Sequence, residues 1–111
     1  IYMNEIKFYK LKNGKEPVKD WLLELDTSIR VKVVKRLERI YDNNFGDYKL
    51  IAPELYELRF KIGKGYRIYY TIKGDTIVLL LNAGDKSRQQ KDIEIAKLYL
   101  AELKGENYVR F

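Results

Sequence analysis

The stretch from Leu55 to Lys86 reads LYELRFKIGKGYRIYYTIKGDTIVLLLNAGDK and gathers the side chains best suited to chemistry on a phosphate: Arg59, Lys61, Arg67 and Lys86, with Tyr69 and Asn82 among them. Arginine can grip a phosphate through two parallel N–H bonds and stabilise the charge that builds there during cleavage. A tyrosine ring can stack on a base. The chain has no histidine, so proton transfer would fall to Lys, Tyr or a carboxylate. Arginine is a poor base, with a pKa above about 12. Any cleavage must therefore lean on positioning and electrostatics.

Alternation places these groups. Tyr56, Leu58, Phe60 and Ile62 share one face of a strand, and Glu57, Arg59 and Lys61 the other. In the next strand Tyr66, Ile68, Tyr70 and Ile72 oppose Arg67, Tyr69 and Thr71. A three-residue Gly63-Lys64-Gly65 loop matches like face with like, pairing Phe60 with Ile68, Lys61 with Arg67 and Arg59 with Tyr69. A two-residue turn at Gly74-Asp75 then pairs Ile68 with Leu81 and sets Arg67 opposite Asn82, with Val78 and Leu80 on the side of Arg67. Directly opposed cations repel, and Glu57 is the one acid placed near them, so a polyanion site explains the cluster better than stability does.

The elements that must hold this face follow in order. Glu5 to Lys10 alternates as a first strand, with a turn at Asn13-Gly14. Pro17 opens a short helix with Val18, Trp21, Leu22 and Leu25 on its buried side. A second helix runs from about Ser28 to Asp42, capped from Asp26-Thr27-Ser28, with Ile29, Val33, Leu37 and Ile40 inward. Its other sides carry Arg30, Lys32, Lys35, Arg36 and Arg39, a second candidate surface for RNA phosphates. Asp47 to Pro53 reads as a loop. Ser87 and Gln90 form a capping box for a last helix whose stripe is Ile93, Ala96, Leu100 and Leu103. The order strand, helix, helix, three-strand meander, helix predicts an α+β fold.

Net charge is +6 and the sequence pI about 9.4, which favours an acidic partner such as nucleic acid or an acidic protein. With no cysteine there is no disulfide framework and no thiolate metal site, and no carboxylate run has the spacing of a cation loop. The longest apolar run, Ile77 to Leu81, fits a buried strand and not a membrane span, and no signal peptide is visible, so a cytoplasmic location is expected. The start Ile1-Tyr2-Met3 suggests trimming or an added remnant.

LYELRFKIGKGYRIYY resembles the signature strand pair of the RelE/ParE superfamily of type II toxins. LNAGDKSRQQKDIEIAKLYL closely resembles the end of its branch of addiction-module killer proteins, related to HigB. The resemblance runs from about Val18 to Leu103. It implies a single toxin domain over residues 1–111 with a RelE-like fold. In that fold an antiparallel-dominated sheet, the N-terminal strand plus the meander, packs against the N-terminal helix pair, with a C-terminal helix. It also implies a cytoplasmic toxin held by a cognate antitoxin, expected to be a small helix-turn-helix protein. RelE-like members enter the ribosomal A site and cut mRNA by attack of a ribose 2′-OH on the adjacent phosphate, with no metal or cofactor. Motif matching carries catalytic roles to Arg59, Lys61, Arg67 and Lys86, while the placement of Tyr69 and Asn82 on the sheet and of Arg30, Lys35, Arg36 and Arg39 on the second helix makes them the expected RNA contacts. RelE has a lysine where this chain has Glu57 and a tyrosine near Asp92, and HigB-type members use a late histidine that is absent here. ParE-like inhibition of DNA gyrase, through the helix pair and the tail at Tyr108, Arg110 and Phe111, is the alternative.

Overall fold

The computed structural model describes residues 4–105; Ile1 to Met3 and the tail from Glu106 to Phe111 lie outside them. Strand β1 (Glu5–Phe8) is followed by helices α1 (Pro17–Glu24) and α2 (Thr27–Ile40), then strands β2 (Tyr48–Ala52), β3 (Leu55–Phe60), β4 (Tyr66–Lys73) and β5 (Ile77–Asp85). A 3-10 turn (Lys86–Arg88) leads into α3 (Gln89–Gly105). The sheet order is β1-β5-β4-β3-β2, with β1 parallel to β5 and the other pairs antiparallel. This is the expected α+β arrangement with one strand more.

Apolar stripes fix the layers. Val18 and Leu22 of α1 and Val33, Leu37 and Ile40 of α2 cover one sheet face over Leu58, Phe60, Ile68, Tyr70, Val78 and Leu80. Ala96 and Leu100 of α3 cover part of the other face, over Leu55, Tyr69, Leu79 and Leu81. Helices thus lie on both sides of the sheet, and the end of the second face that carries Arg59 and Arg67 lies outside the α3 core.

Several expectations need correction. The segment expected to be a loop after Asp47 holds β2, an edge strand paired with β3. Its largely exposed residues give no alternating burial to read, and the turn back into β3 puts Glu54, not a glycine, at positive φ (63°).

The β3–β4 ladder ends at Phe60 opposite Tyr66, two residues short of the expected register. Arg59 therefore faces Arg67, Glu57 faces Tyr69, and Lys61 lies in the loop. Gly63 and Gly65 both take positive φ, and Gly65 N–H closes a turn onto Ile62 O at 2.9 Å. An even shift leaves every side chain on its expected face.

The β4–β5 turn contains three residues, Gly74 to Thr76, with Gly74 and Asp75 both at positive φ. That odd shift turns Val78 and Leu80 toward α1 and α2, and Leu79 and Leu81 toward α3, opposite to expectation. A strand buried on both faces carries no polar alternation to set its register. A bulge at Leu81 then sets Asn82 opposite Tyr69 and Gly84 opposite Arg67. Finally, the cap of the last helical segment is Asp85, whose carboxylate accepts from Ser87 N–H at 2.9 Å and from the Ser87 hydroxyl, in place of the Ser87–Gln90 box.

Gly84 is where α3 meets the sheet. A Cβ there would lie 2.0 Å from Asp92 Oδ2. Gly84→Ala should therefore destabilise the fold by about 1–3 kcal/mol through overpacking, read from urea midpoints. An unchanged midpoint would show that α3 does not press on the sheet at this point.

Candidate nucleic-acid interface

Arg59, Lys61, Arg67 and Lys86 line one concavity of about 300 Å³, together with Phe60, Gly65 and Tyr66. β3 supplies Arg59, β4 supplies Arg67 and the loop between them supplies Lys61. Lys86 arrives from beyond β5, its N–H donating to Gly65 O at 2.8 Å. Among the described residues no carboxylate lines the concavity.

The two opposed arginines coexist because each has its own acid. Arg59 Nη2 and Nε donate to Asp47 Oδ1 at 2.9 and 3.2 Å, and Lys61 Nζ lies 3.9 Å from Asp47 Oδ2. Arg67 Nε lies 3.4 Å from Oε2 of Glu57, a carboxylate only 1% exposed. The same Oε2 accepts from Gln89 Nε2 at 2.8 Å, so the first residue of α3 fixes the acid that holds Arg67. Neither Glu57 Oε1 nor Arg67 Nε makes a hydrogen bond in the structure. The pairing is an ion pair across a small gap, with Arg67 Nε itself buried.

The remaining expected contacts divide. Tyr69 is 1% exposed beneath α3, so it offers no ring face to a base. Burial, then the charge of Glu57, pushes its hydroxyl well above the ordinary 10.0. Asn82 is buried and donates to Asp92 O at 3.1 Å. Arg36 donates to Phe45 O, Asp47 O and Arg59 O and lies over the Phe60 ring, 4.9 Å from its centroid. It ties α2 to β3 and to the turn before β2. Arg30 donates to Leu23 O and Thr27 Oγ1, at the joint of the helix pair. Lys35 and Arg39 behave otherwise. With Lys32 and Arg36 they line a second concavity of about 260 Å³ that shares Phe60 and Lys61 with the first.

Sequence reasoning missed two supporting residues. Asp47 stood in the presumed loop, where no periodicity gave its direction. Gln89 lies between Ser87 and Gln90 at the expected helix start, where no pattern singles it out. Asp92 is nearly buried against Gly84, and burial raises its carboxyl above the ordinary 3.8 despite Arg88 Nε 3.9 Å away.

Residues 20–104 match the family described as phage derived protein Gp49-like (DUF891). The chain belongs to that family. An uncharacterized protein of Haemophilus influenzae is 42% identical over 84 residues, which is 75% of this chain and 85% of that protein. The Gp49-like chain also shares the fold of a free-state mutant of the E. coli toxin RelE, with a TM-score of 0.58 and 18% identity. That match covers 83% of this chain and 96% of RelE.

Two outcomes test the electrostatic frame. Arg36→Lys keeps the charge but cannot span three carbonyls, so it should lower stability by about 1–3 kcal/mol in urea titrations; wild-type stability would mean that the clamp contributes nothing. The hydrogen bond from Arg59 holds the Asp47 carboxyl below its ordinary 3.8. A depressed folded value contributes stability above the unfolded pKa that is lost as pH falls through the folded one. Wild type should therefore lose stability more steeply than Asp47→Asn below pH 3.8, and parallel pH profiles would contradict this.

Proposed function

We propose that this Gp49-like chain is the toxin of a type II toxin–antitoxin pair and acts as a ribosome-dependent mRNA endonuclease. The observation that carries the reading is the concavity ringed by Arg59, Lys61, Arg67 and Lys86, with no carboxylate among the described residues that line it. A site of that charge has a phosphate diester as its natural ligand. The RelE fold supports the class of activity, and the addiction-module motif supports the HigB-related branch.

In this reading the ribose 2′-oxygen attacks the adjacent phosphorus and expels the 5′-oxygen of the next nucleotide. Arg67, held from below by Glu57, and Arg59, held at its edge by Asp47, take the non-bridging oxygens, where negative charge grows. Their partners fix them before substrate arrives, so little reorganisation remains for the transition state. Lys61 and Lys86 are exposed beside the two arginines, and in this reading one of them, as the neutral amine, takes the 2′-OH proton while the other, as the ammonium, gives a proton to the departing 5′-oxygen. Lys32, Lys35 and Arg39 extend the cationic surface away from the reacting phosphate and hold the RNA backbone or the ribosome. A cognate antitoxin and translating ribosomes are the partners this reading requires. In the gyrase alternative the helix pair would act through Lys32, Lys35 and Arg39, because Arg30 and Arg36 are engaged within the fold.

Arg67→Ala should lower cleavage of translated mRNA, mapped by primer extension, by about 100-fold or more while leaving the far-ultraviolet circular dichroism unchanged. Wild-type cleavage by a folded Arg67→Ala variant would overturn the assignment.

A further inference from the structure

A larger concavity, about 470 Å³, lies at the opposite end of the sheet. Lys7 and Lys10 come from β1 and the residues after it, Lys12 from the following turn, and Lys73 from the end of β4. All four lysines are exposed, and among the described residues none of them forms an ion pair. Ile77, Leu79 and Leu103 supply aliphatic surface between them. The acid in the lining is Glu102, and its Oε2 accepts from the Tyr9 hydroxyl at 3.2 Å. Arg67 and Lys73 stand six residues apart on β4, so this groove is roughly 20 Å from the RNA concavity.

We propose that this groove docks an acidic, leucine-bearing segment of a partner protein, apart from the surface that would hold RNA. Four unpaired lysines around an aliphatic floor complement glutamates flanking an apolar side chain. A nucleic acid fits the lining less well. Among the described residues it contains no arginine for bidentate phosphate contact, and the ring of Tyr9 is packed against Tyr99 with centroids 5.1 Å apart. A second copy of this chain, also at +6, would be repelled. The inference is independent of RNA cleavage, because it uses none of the residues assigned to that reaction.

The test is an amide NMR titration of the full chain with a synthetic glutamate-rich peptide bearing leucine at every fourth position. Shifts should concentrate at Lys7, Lys73, Leu79 and Leu103. The pair Lys7→Glu with Lys73→Glu should weaken binding about tenfold or more. Lys32→Glu with Lys86→Glu removes the same charge elsewhere and should weaken it far less. Equal losses in the two double variants, shifts centred on Arg59 and Arg67, or no binding would each overturn the proposal. So would the same groove shifts on adding an oligouridylate, which would make the groove a nucleic-acid surface.

Discussion

A carboxylate that is 1% exposed and an arginine that is 14% exposed cannot be separated cheaply, and the pair Glu57–Arg67 is the constraint on which the site depends. Burying Glu57 alone would cost several kcal/mol or drive it neutral. Arg67 above it and Gln89 beside it make that burial tolerable. The acid in turn keeps Arg67 at the end of the sheet that α3 leaves open. Because Gln89 begins α3, the seating of that helix and the placement of Arg67 are one problem. Gly84, opposite Arg67 and in contact with Asp92, is small for the same reason.

The abundance of cations becomes intelligible once they are sorted by partner. Arg36 and Arg30 spend their donors on backbone carbonyls, and Arg59 and Arg67 are each held by one acid. Lys61 and Lys86 stand exposed at the rim, and Lys32, Lys35 and Arg39 beside it. Positive charge on this surface is therefore of two kinds. Guanidinium groups held by carboxylates sit at the centre, and exposed cations surround them. That division suits a reaction that needs charge in place at the phosphorus and adaptable proton carriers at the flanking oxygens.

Much of this arrangement was legible in the residues. The apolar alternation of β3 and β4 assigned each side chain to its face, and Pro17 and Asp26 marked the helix starts. What escaped was set by conformation that composition does not encode. Positive φ at Glu54 and Asp75 had no glycine to announce it. β5, apolar on both faces, gave no face to match, so its side chains were assigned to the wrong layers. Tyr69 illustrates the cost of that ambiguity. It lies on the face of Arg67, as alternation requires, but α3 covers that part of the face and removes the ring from any base.

The central claim is that the cationic concavity directs a ribose 2′-oxygen at its own phosphate. It is tested most directly by presenting translating ribosomes with a message carrying one 2′-deoxynucleotide on the 5′ side of the cut. The account predicts that cleavage at that bond stops, and that the ordinary message yields fragments with a 5′-hydroxyl that polynucleotide kinase labels without prior dephosphorylation. Cleavage of the deoxy-substituted bond, or fragments bearing a 5′-phosphate, would contradict it.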